Sequence, residues 1–104
     1  MKIIKNKEIT LEIPTVNGKE EIKKKYSDLI IECTNTPPPD GFLVKEMQHR
    51  MRILTIAEKA QDKMSFEDAD YSKLQDLVKA MRWKFISRDI ITFCETIMIY
   101  KDEK

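Results

Sequence analysis

Glycine is almost missing from this chain: 104 residues hold only Gly18 and Gly41. Loops that cradle phosphates need several glycines so that backbone N–H groups can approach the ligand closely, so no loop of that kind is expected. Histidine occurs once, as His49, and cysteine twice, as Cys33 and Cys94, far apart and in no CxxC spacing. That is too few ligands for a zinc-type centre, and nothing points to a disulfide framework. An excess of charge of one sign is also missing, since 19 basic and 18 acidic side chains leave a net +1. A dedicated nucleic-acid binder usually carries a clear basic surplus. No apolar run approaches the ~18–20 residues of a membrane span. The opening MKIIKNKEIT has lysines but no apolar stretch of the kind a signal peptide needs, so a cytoplasmic protein is expected.

What remains is a chain with 41% hydrophobic and 36% charged residues, ordered at regular spacings and long enough for one domain. KIIKNKEITLEI alternates apolar residues at Ile9, Leu11 and Ile13 and reads as a β-hairpin over 2–14, turning at Asn6–Glu8 and stopped by Pro14. After a turn at Asn17–Gly18, the positions Ile22, Tyr26, Leu29, Ile30 and Cys33 form one helical face over 19–34. TPPPDG then interrupts the chain. Three successive prolines cannot continue a helix; the segment reads as a stiff connector, because it lacks the basic flanks of a proline-rich docking ligand. Leu43, Met47, Met51, Leu54 and Ala57 give the apolar stripe of a helix over 43–61. Ser65 or Asp68 caps a third helix over 68–82, with Tyr71, Leu74, Leu77, Val78 and Met81 facing inward. Ser87 caps a fourth over 87–100. The expected fold is a single α+β domain, 1–104, with an N-terminal β-hairpin packed on a bundle of about four α-helices.

Catalysis finds little footing in these residues. The only Cys–His pair to consider is Cys94 with His49, but Cys94 lies on an apolar stripe and His49 reads as solvent-facing. Asp62–Lys73 fails as a calcium loop: its sixth position is Glu67 rather than glycine and its twelfth is Lys73 rather than an acid. The expectation is therefore a non-enzyme with no metal and no cofactor.

Two features favour binding. The fourth helix is apolar around much of its circumference, at Ile90, Ile91, Phe93, Ile97, Met98, Ile99 and Tyr100, and the second has a similar excess at Val44, Ile53 and Ile56. Helices apolar on two sides tend to be shared between subunits, and methionine surfaces adapt to partners. The corner AMRWKFISRD holds the only tryptophan among basic residues, making Lys79, Arg82, Trp83, Lys84, Phe85 and Arg88 the candidate contact residues. Trp83 or Phe85 is expected to plug the corner while Arg82, Lys84 and Arg88 fan outward. The alternative is a nucleic-acid contact by this basic region. A helix-turn-helix reading of it is weakened by the apolar fourth helix, which offers few polar side chains to a groove.

The half from Met47 to Ile97 resembles small accessory proteins of tailed phages and prophages. The resemblance lies in an arginine beside apolar residues (Arg50), a Ser-x-Glu-Asp step (Ser65, Glu67, Asp68), a helix with Leu74 and Val78, and a final apolar helix with Ile90. It implies a protein-binding role in virion or tail assembly, or in inhibiting a host protein, inside the host cytoplasm or in the virion. It also leaves room for a replication or regulatory accessory that touches nucleic acid.

Overall fold

The computed structural model describes residues 1–100. Strand β1 (Lys2–Lys5) is followed by β2 (Glu8–Thr15) and β3 (Gly18–Lys25), then helices α1 (Tyr26–Asn35) and α2 (Val44–Glu58). Strand β4 (Lys63–Phe66) precedes helices α3 (Asp68–Ala80) and α4 (Arg88–Met98). The protein is thus α+β, with an N-terminal hairpin and four helices.

The hairpin is not the one read over 2–14. Strand β2 pairs antiparallel with β3, with Leu11 opposite Ile22 and Thr15 opposite Gly18, while β1 pairs with β4 across more than half the chain. Residues 19–25, read as the first turns of a helix, are strand. The physical reason lies at Val16–Gly18. Gly18 takes φ +125°, which only glycine adopts without strain. A two-residue link closed by glycine is a hairpin signal stronger than the four-residue spacing of Ile22 and Tyr26. The helix begins only at Tyr26, where the connector between β1 and β2 satisfies its free amides: Tyr26 N–H donates to Lys7 O (2.9 Å) and Ser27 N–H to Asn6 Oδ1 (2.9 Å).

Strand β4 was not read from the sequence. It is only four residues long, yet it alternates: Met64 and Phe66 are buried, Lys63 and Ser65 exposed. Together with Ile4 of β1 it contributes to one continuous core that also holds Leu11, Tyr26, Leu29, Ile30, Ile53, Tyr71, Leu74, Phe93 and Ile97. Helix α1 lies against α2 and α3, and α4 against α3 and β2. Tyr26 meets Phe93 edge-to-face with ring centroids 5.0 Å apart, joining α1 to α4. Tyr71 Oη donates to Ile97 O (2.7 Å), tying α3 to the end of α4.

Candidate partner-contact surface

Helix α3 ends at Ala80 because the chain turns extended at Met81, whose N–H reaches back to Val78 O (3.3 Å). Helix α4 restarts where Ser87 Oγ accepts from Ile90 N–H (3.3 Å), the cap expected from the sequence. Between them, residues 81–87 form the corner. Trp83 and Phe85 are both partly buried against the core, and Trp83 stands edge-on to Phe93 with centroids 6.4 Å apart. Lys79, Arg82, Lys84 and Arg88 are exposed around them. Ile86, between Phe85 and Ser87, is 95% exposed.

Open clefts flank the corner. One, of about 460 Å³, lies between Trp83 and the start of the proline segment at Thr36 and Pro37. Another separates Phe85–Asp89 from the hairpin, where Glu12 and Glu21 face Lys84 and Arg88. Acids and bases therefore share this surface, which disfavours a polyanion lying across it.

The proline segment is held by Arg50. Its guanidinium donates to Thr34 O (3.0 Å) and Thr36 O (2.9 Å), and its Nε–H to Glu46 Oε1 (2.9 Å). It also lies over the Phe42 ring at 4.7 Å. Arg50 is a buried cap for the last carbonyls of α1. Glu46 also receives Lys73 Nζ at 2.7 Å, and these two cations hold its carboxyl below the usual range. His49 does not face solvent as expected: it is partly buried, with Nε2 3.2 Å from Asp70 Oδ1 but out of line for a hydrogen bond. Asp70 is buried and also accepts from Arg52 Nε–H at 3.2 Å.

Helix α2 is rotated relative to its expected stripe. Its buried residues are Arg50, Ile53 and Ala57. Leu43, Met47 and Met51 of that stripe are instead 79%, 47% and 57% exposed, and Val44, read as apolar excess, is 65% exposed. The buried face is the one that Arg50 shares with Ile53 and Ala57, three and seven positions on, and two carbonyls and a carboxylate hold the Arg50 side chain there; Val44, Met47 and Met51 lie round the helix from it. On α4, Ile90, Phe93 and Ile97 are buried while Ile91, Met98 and Ile99 face outward. Alternation and helical spacing had flagged the apolar excess of both helices; which side of α2 is outermost was not legible.

Both cysteines are free. Burial pushes the Cys33 thiol up to about 12. Burial raises that of Cys94 as well, while the Trp83 side chain, hydrogen-bonding to it, pulls the other way. A raised thiol pKa favours the protonated form, which is the less nucleophilic one. Among the described residues no group of three or more His, Cys, Asp or Glu side chains gathers as a metal site, and no helix is long and apolar enough to cross a membrane. Comparison with known proteins finds no matching family model, no matching curated protein and no matching solved structure.

Proposed function

We propose that this chain is a non-catalytic accessory protein that acts through protein–protein contacts, self-association among them. The observation that supports it is the stripe of Leu43, Val44, Met47 and Met51 along the outer face of α2, with four large apolar side chains in water. Methionine and leucine surfaces of this kind repack against different partners. A second apolar patch, Ile91, Met98 and Ile99 on α4, gives a further face for another protein. We read the four helices as a bundle whose outer sides serve as docking faces, with Lys79, Arg82, Trp83, Lys84, Phe85 and Arg88 as a polar rim at one corner. The phage or prophage class, and with it a cytoplasmic setting, rests on the resemblance of residues 47–97. Within that class we propose virion or tail assembly, or inhibition of a host protein, as the role.

Light scattering across micromolar concentrations tests the self-association. A dimer or larger species is expected, and the double substitution Met47→Glu with Met51→Glu should return it to monomer. A wild-type chain that stays monomeric throughout would sink this part of the reading.

The alternative is a nucleic-acid-binding replication or regulatory accessory, favoured by the four exposed basic residues around Trp83. Quenching of Trp83 fluorescence by single- or double-stranded DNA, lost at raised salt, would promote it over protein binding. Unchanged fluorescence would remove it.

A further inference from the structure

The end of the two-stranded sheet formed by β1 and β4 carries a cavity of about 290 Å³. Lys5, Lys7 and Lys63 line it together with Tyr26, Thr96 and Tyr100. Among the described residues the rest of the wall is Met1, Ile3 and Ile4, and no carboxylate contributes to it. None of the three lysines is paired in the ion pairs among the described residues.

The strand geometry presses these charges together. Lys5 and Lys63 are directly opposite in register. Ile3 N–H leaves the ladder to donate to Tyr100 Oη (3.1 Å), whereas Asn6 N–H donates to Asp62 O (2.8 Å). Even-numbered residues of β1 therefore carry the ladder bonds, and Lys5–Lys63 is a non-hydrogen-bonded pair, the kind that brings facing side chains closest. Like charges in that position repel. The same alternation turns the Lys5 N–H toward the outer edge of β1, on the side of Tyr100. A further cation is close by, because Lys2 Nζ lies 4.7 Å from the centre of the Tyr100 ring.

We propose that this cavity binds a small phosphomonoester. Its phosphate takes the place between the Lys5, Lys7 and Lys63 ammonium groups, where a dianion relieves their mutual repulsion and accepts charge-assisted hydrogen bonds. Its organic part lies against Ile3 and the Tyr100 ring. The volume is at the lower end of small-molecule sites, which fits a compact monoester rather than a long chain.

The test uses the whole chain, with inorganic phosphate and phenyl phosphate as probes and backbone amide NMR shifts as readout. Both probes should move the amides of Lys5, Lys7, Lys63 and Tyr100 at millimolar concentration. Phenyl phosphate should bind about fivefold more tightly, because its ring adds apolar contact. Lys63→Ser should keep the fold, since it removes a repelling charge, and should weaken phenyl phosphate by about fivefold or more. Lys7→Ser, outside the strands, should do the same. Amides that stay unmoved, or variants that bind phenyl phosphate as tightly as wild type, would overturn the proposal. So would a single-stranded oligonucleotide that moves these amides where phenyl phosphate at equal phosphate concentration does not. Because Met47 and Met51 lie elsewhere, their double substitution separates failure of this site from failure of the association reading.

Discussion

Arg50 is a buried charge with compensation on every polar side: its hydrogen bonds go to two carbonyls and a carboxylate, and it lies over an aromatic face. Removing one partner from such an arrangement leaves the rest unpaired. Arg50→Ala should cost about 3 kcal/mol in denaturant unfolding and should loosen the Thr36–Leu43 connector, seen as faster amide exchange there. Glu46 sets a pH dependence of definite sign. Its carboxyl is depressed below its usual 4.5 by Lys73 first and then Arg50. A depressed folded value means that stability is present above the ordinary carboxylate range and is lost as pH falls through the folded value. Glu46→Gln should therefore lower stability at neutral pH, and the gap to wild type should close as the solution is acidified below about pH 4. A gap that stays constant down to pH 2–3, on a scale of about one carboxylate titration, would mean the pair contributes nothing.

At the scale of elements, the instructive region is Thr15–Tyr26. The spacing of Ile22, Tyr26 and Leu29 looked helical, and from Tyr26 onward it was. Before Tyr26 the backbone is dictated by a turn and by a partner strand. Gly18 can be tested directly: a Cβ there meets no atom within 4 Å, so substitution costs only backbone strain. Gly18→Ala should lose about 1–3 kcal/mol, detectable as a lower thermal midpoint with an unchanged core; a neutral substitution would mean the turn relaxes freely. Strands β1 and β4 carry a different lesson. Each is four residues long and neither is a stable unit alone. Burying Met64 and Phe66 contributes about 1.5–3 kcal/mol each, so the pair forms because the core accepts those side chains. The facing Lys5 and Lys63 work against it by a few tenths of a kcal/mol up to ~1. Lys63→Ser should accordingly match or exceed wild-type stability in phosphate-free buffer.

At the scale of the whole molecule, the hairpin tip is open to water, with Val16 fully exposed. So are large apolar side chains on α2 and α4, of the kind that standard interfaces remove from water. If those faces pair, the thermal midpoint should rise with protein concentration, because association stabilises the folded state by mass action. A midpoint independent of concentration would argue for a monomer whose apolar faces await a different protein.

Periodicity and capping residues were enough to locate four helices, an N-terminal region of alternating strands and the corner at 81–87, because those signals act over a few neighbouring residues. Ser87 capped the last helix as its hydroxyl chemistry requires, and Trp83 lay against the core as its large apolar ring demands. The partners of the strands were beyond such local reading. β1 had two chemically adequate neighbours, one seven residues away and one sixty, and the closing of the core selected the distant one. Likewise the sequence displayed an apolar stripe on α2 but not its direction. Arg50, bonded to the end of α1, shares the buried face with Ile53 and Ala57, and Val44, Met47 and Met51 are left outward. Local chemistry determined which elements this chain forms; burial and hydrogen bonding between distant residues decided how they pair and which of their faces a partner can meet.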